Sequence, residues 1–193
     1  ITKENYVDQI MKQIKHYPKE PVYYLRINKQ NCLIEILVND VSRHDDYELS
    51  NYVTPIKINS SILRSGKQTI TVRMYPVGNL INESLGKENE KPITTLLENS
   101  SVNISVVQID NKSEKRLADE VKVAESLSPK KDGKFVGTGL PYYEYSFDFQ
   151  AEVPYELEGW SKGQDLRKLD SAKLEQKALD FYKMIQQIYV KKD

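Results

Sequence analysis

Five aromatic residues, Tyr142, Tyr143, Tyr145, Tyr155 and Trp160, cluster late in a 193-residue chain that holds 13 tyrosines and one tryptophan. Tyrosine offers a large contact area, loses little rotamer freedom when fixed, and keeps a polar tip, so it suits recognition surfaces. Tyr143 and Tyr145 lie in a stretch of strict alternation, where they would share the inward face of a strand. Tyr142 and Trp160 fall outside that phase and are the aromatic candidates for touching a partner. A second group is Arg43, His44, Asp45 and Asp46, in a segment (41–52) that reads as a polar, exposed loop. Consecutive side chains do not converge on one ion, so no metal is expected there. Arg43, His44 and Asp46 are read instead as solvated contact residues whose joint removal should leave stability nearly unchanged.

Catalytic patterns are missing from the sequence. Cys32 is the only cysteine and sits in an apolar run, as a small buried hydrophobe would. No Gly-x-Ser-x-Gly elbow and no recognisable Cys-His-Asn spacing accompanies the two histidines. His16 falls at the end of a helical pattern, where a cation is favourable. Gly133, Gly137 and Gly139 form no phosphate loop or dinucleotide pattern. No enzyme activity and no cofactor are expected.

The elements that must position these residues centre on 32–76. Ile34, Ile36 and Val38 alternate with Glu35, Leu37 and Asn39, and Ile70, Val72 and Met74 alternate with Thr71, Arg73 and Tyr75. Period two with β-branched residues predicts two half-buried strands. Between them Asn59 can open a short helical turn carrying Ile62 and Leu63, which Gly66 ends. A strand ending Val38-Asn39-Asp40, then Ile56-Lys57-Ile58-Asn59, then Gly66-Lys67-Gln68-Thr69-Ile70 resembles the central part of galactose-binding-like jelly-roll domains. Asp40 stands where those domains carry Gly, and no sugar-ligating set accompanies the pattern. The resemblance implies a jelly-roll β-sandwich.

Around that unit, Val7, Ile10, Met11 and Ile14 form one stripe of an N-terminal helix closed by Pro18 and Pro21. Residues 22–28 predict a strand turned by 29–31 into the next as a hairpin. The segment 77–92 reads as an exposed excursion, and 102–107 as a strand. Residues 114–127 fit helix or strand, with strand favoured because a sandwich needs partners. Residues 143–153 give the longest alternating run. Ser161 and Gln164 have capping-box spacing, and a stronger helix starts at Asp170 or Ser171, lined by Leu174, Ala178, Phe181, Ile185 and Ile188.

The expected architecture is a mainly β, antiparallel jelly-roll-like sandwich with helices at either end of the chain, an α+β protein forming a single domain. Its parts are the N-terminal helix (1–17), the sandwich core (22–112), further strands and loops (113–160) and the C-terminal helix (170–190). Lys plus Arg equals Asp plus Glu at 28 each, so no long-range field draws nucleic acid or an anionic membrane. No apolar run approaches the roughly 18 residues of a spanning helix, so no transmembrane segment is expected. The chain starts at Ile1; a removed leader would place it in the periplasm or on a membrane, outside the cytoplasm, and a trimmed cytoplasmic protein is the alternative. The function expected is non-catalytic recognition of a protein or peptide partner by a bacterial β-sandwich, an immunity-type toxin neutraliser being a close version. A carbohydrate-binding module is the alternative, and a hydrolase using acidic residues stands third.

Overall fold

The computed structural model describes residues 2, 5–87, 89–114 and 116–191, the side chains of 116 and 117 aside. The chain divides into two compact units, Ile1–Leu157 and Glu158–Asp193.

The first unit opens with helix α1 (Tyr6–Gln13) and continues through strands β1 (Pro21–Gln30), β2 (Leu33–Val38), β3 (Val41–Asp46), β4 (Ile56–Lys57) and β5 (Gly66–Tyr75). The short helix α2 (Leu80–Ser84) follows, then β6 (Ser101–Asp110), β7 (Val121–Leu127), β8 (Lys130–Lys131), β9 (Lys134–Phe135) and β10 (Tyr143–Ala151). One four-stranded antiparallel sheet has the order β4-β1-β6-β7, and the other β10-β5-β2-β3. The protein is thus an antiparallel β-sandwich with a helix towards each end of the chain. Alternation sets its core: Tyr23 and Leu25 of β1 and Val102, Ile104 and Val106 of β6 meet Ile34, Ile36 and Val38 of β2 and Ile70, Val72 and Met74 of β5. Each fully buried aliphatic contributes about 1.5–3 kcal/mol over its exposed state.

The turn after β2 corrects the loop expected over 41–52. Asn39 (φ 51°) and Asp40 (φ 65°) are both left-handed, the backbone of a tight two-residue hairpin that returns the chain at once into β3. The Asn39 side chain fixes it, donating to Ser61 O (2.8 Å) and Gln68 Oε1 (2.7 Å) and accepting from Thr69 N–H (3.0 Å). Polar composition did not keep 41–46 out of a sheet because one face of an edge strand meets solvent.

The hairpin expected at 29–31 is also corrected. β2 pairs with β5 and β3 and not with β1, whose neighbours are β6 and β4, and Asn31, left-handed (φ 51°), carries the chain across to the other sheet. The segment 77–92 is not a plain exposed excursion: Val77 is buried, Gly78 and Ile93 exchange backbone bonds at 3.0 and 2.9 Å, and buried Asn82 donates to Lys91 O at 3.0 Å. In 114–127, a 3-10 turn at Arg116–Asp119 precedes the strand β7.

In the second unit, Ser161 and Gln164 open no helix. Asp165 instead accepts from Arg167 N–H (3.1 Å) to cap a 3-10 turn, Leu166–Lys168. Helix α3 (Ser171–Lys191) begins where Asp170 accepts from Lys173 N–H (3.0 Å). Among the described residues neither α1 nor α3 holds a buried residue, and none of the described helices is long and apolar enough to cross a membrane.

Candidate functional site: an outward tyrosine and carboxylate row

Because Ile34 and Ile36, Val72 and Met74, and Tyr143 and Tyr145 point inward, the residues between them must point out from the sheet. Register then lines them up. Asp45 of β3 lies opposite Glu35 of β2, Glu35 opposite Arg73 of β5, and Arg73 opposite Glu144 of β10. One guanidinium therefore stands in a row with three carboxylates, making this strip of the face acidic. Arg73 Nε donates to Glu144 Oε2 at 2.8 Å, and its Nη1 lies 3.4 Å from Glu35 Oε2.

Three tyrosines close over the row. Tyr47 donates its hydroxyl to Glu35 Oε1 (2.5 Å), Tyr75 to Glu35 Oε2 (3.0 Å) and Tyr142 to Glu144 Oε2 (2.6 Å). The rings of Tyr75 and Tyr142 lie 5.3 Å apart. Tyr47 is 49% exposed and Tyr142 41%, so their hydroxyls are held while their rings face solvent. The Tyr47 and Arg73 hydrogen bonds help hold the Glu35 carboxyl below its ordinary range; those of Tyr142 and Arg73 do the same for Glu144. Burial and the Glu144 carboxylate push the Tyr142 phenol up to about 12; the Glu35 hydrogen bond takes that of Tyr47 up to about 12 as well. Fixed charges and pinned rings make a preorganised contact surface. Carboxylates held ionised are the wrong state for a general acid.

The candidates of the 41–52 segment are placed differently. Asp46 is 7% exposed, and its Oδ1 lies 3.4 Å from Nζ of Lys29, a residue only 3% exposed. Lys29 Nζ also donates to Glu48 O, and Glu48 N–H to Asp46 Oδ1 (3.2 Å). The pair joins β1 of one sheet to β3 of the other, so Asp46 is a buried structural residue, and the exposed reading is overturned. His44 faces inward opposite Ile36, with its ring 5.1 Å from Tyr52, and burial lowers its pKa despite Asp46 and Asp45. Arg43 occupies the bulge between the pairs Ile36–His44 and Leu37–Ser42, and reaches Lys57 O at 3.4 Å. Trp160 is 46% exposed in the second unit. Of the five candidates, only Tyr142 belongs to the outward row.

Cys32 is 2% exposed, and burial pushes its thiol up to about 11, leaving it protonated and unreactive. Among the described residues no three His, Cys, Asp or Glu side chains come together to hold a metal. On the outward face of the other sheet a cavity of about 400 Å³ is lined by Val22, Tyr24, Pro55 and Ile109, with Arg26 and Glu120 closed on each other at 2.6 and 2.9 Å. It could seat a small apolar group.

Glu35, Tyr47, Arg73, Tyr75 and Glu144 were not singled out from the sequence. Their signal was the polar phase of each alternating strand, but only register shows that the phases meet in one row. No protein-family model, no curated protein and no solved structure matches the chain.

Proposed function

We propose that the protein recognises a protein or peptide partner through the outward face of β10-β5-β2-β3, and that it does so without chemistry of its own. The observation that carries this reading is the convergence of Tyr47, Tyr75 and Tyr142 on the Glu35–Arg73–Glu144 row. Exposed, pinned tyrosines are the residues on which interface energy concentrates. Three carboxylates against one guanidinium favour a partner that presents lysine or arginine there.

A bait carrying Tyr47→Ala and Tyr142→Ala separates this from a merely structural cluster. Wild-type protein should retain a partner from native lysate through a sizing column, and the double variant, still folded by circular dichroism, should release it. Equal recovery with both baits contradicts the proposal, as does recovery with neither.

Carbohydrate is the second reading, favoured by the exposure of Tyr142 beside the hydroxyl and carboxylate of Tyr75 and Glu144. Glycan-array binding that disappears in Tyr142→Ala would support it, and an array without hits removes it.

A further inference from the structure

The outward positions of the sheet β4-β1-β6-β7 are polar over part of its surface: Asn28 and Gln30 on β1, Asn103 and Ser105 on β6. Towards the start of β1 and the end of β6 that pattern stops. There Val22 lies outward opposite Ile109, and Tyr24 opposite Val107. Apolar side chains gathered on a solvent-facing sheet surface mark a contact, and here the surface is concave. Val22, Tyr24 and Ile109 form the floor of the cavity of about 400 Å³. Its walls are Thr54 and Pro55 ahead of β4, Asp110 at the end of β6, and the Arg26–Glu120 pair. Val22 is buried, and Tyr24, Pro55 and Ile109 are half-buried. An apolar hollow of this size with a few polar groups at its rim has the make-up of a small-molecule site.

The charges around the hollow are already matched. Arg26 gives Nε and Nη2 to Glu120 (2.9 and 2.6 Å), and Asp110 accepts from the N–H groups of Glu20 and Lys112 at 3.1 Å each. Hydrogen-bonding capacity is left over: among the described residues nothing bonds the hydroxyls of Tyr24 and Thr54, and Arg26 keeps Nη1 free. The guanidinium, held flat against the carboxylate by two bonds, is a plane on which an aromatic ring stacks. We propose that this hollow binds a free small molecule, an uncharged aromatic ring that carries a carbonyl group. The ring covers Val22, Tyr24, Pro55 and Ile109, and the carbonyl oxygen accepts from one of the three open donors. A carboxylate in its place meets Glu120 and Asp110, and an ammonium meets Arg26, so neutrality is selected. The site is on the opposite sheet from the tyrosine row and does not depend on the recognition reading.

Nitrogen–proton correlation spectra of the whole chain, titrated with benzamide as the probe, test this. Ring-current shifts should appear at the amides of Val22, Tyr24 and Ile109, leave those of Glu35 and Glu144 in place, and saturate with a dissociation constant of about 1 mM, the range of a small fragment. Benzoate should bind roughly tenfold more weakly. Ile109→Trp fills the hollow and should abolish the shifts. Tyr24→Ala, at a half-exposed position that folding tolerates, should weaken benzamide roughly tenfold by removing one aromatic face; the spectrum itself reports whether each variant is folded. Shifts that do not saturate, or that fall on the other sheet, overturn the proposal. So does benzoate binding as tightly as benzamide, and so does an affinity unchanged in a folded variant.

Discussion

Asp46 and Lys29 behave as one unit, and that decides what their substitution does. Asp46→Ala leaves a buried ammonium with only the Glu48 carbonyl and should cost about 3–5 kcal/mol in denaturant unfolding. Replacing both, as Lys29→Met with Asp46→Leu, removes the uncompensated charge and should recover most of that loss. Single and double variants with equal losses would mean that the pair is not coupled. His44 supplies a pH dependence. Burial holds its pKa below the ordinary 6.5, against the pull of Asp46 and Asp45 and helped by Lys29. As pH falls through the ordinary value the unfolded chain takes up the proton first, so stability falls below about pH 6.5. Between pH 7.5 and 5.5, His44→Gln should lose less stability than wild type by urea titration. An equal loss would place the titration elsewhere.

At the scale of elements, alternation made β2, β5, β6 and β10 readable, because each buries one face and leaves the other to solvent. Ile36, fully buried in β2, should cost roughly 2–5 kcal/mol as Ile36→Ala. β3 was not readable in that way, since its inward positions hold His44 and Asp46 where a strand pattern wants aliphatics. The clue lay in Asn39-Asp40, two residue types that tolerate the left-handed region a tight hairpin needs. Asp40→Gly should relieve that turn and stabilise the fold by up to about 1 kcal/mol, read as a raised urea midpoint at unchanged slope. A lowered midpoint would show that the Asp40 side chain supports the turn. Lys29 stands in the inward phase set by Tyr23, Leu25 and Ile27, but the turn read at 29–31 took it out of the strand, and its partner depends on which strand of the facing sheet lies across from it. The Glu35–Arg73–Glu144 row required three registers at once, which local pattern does not carry.

The whole molecule combines a neutral overall charge with an acidic strip on one sheet face, so attraction to a partner is local and short-ranged. The recognition account turns on where a partner lands. A photo-reactive phenylalanine analogue placed at Tyr142 and, in a separate protein, at Lys122 on the other sheet allows that to be read directly from native lysate. Cross-linking from position 142 to a defined partner, with none from position 122, is the result the account predicts. A partner captured only from position 122, or none from position 142, would contradict it.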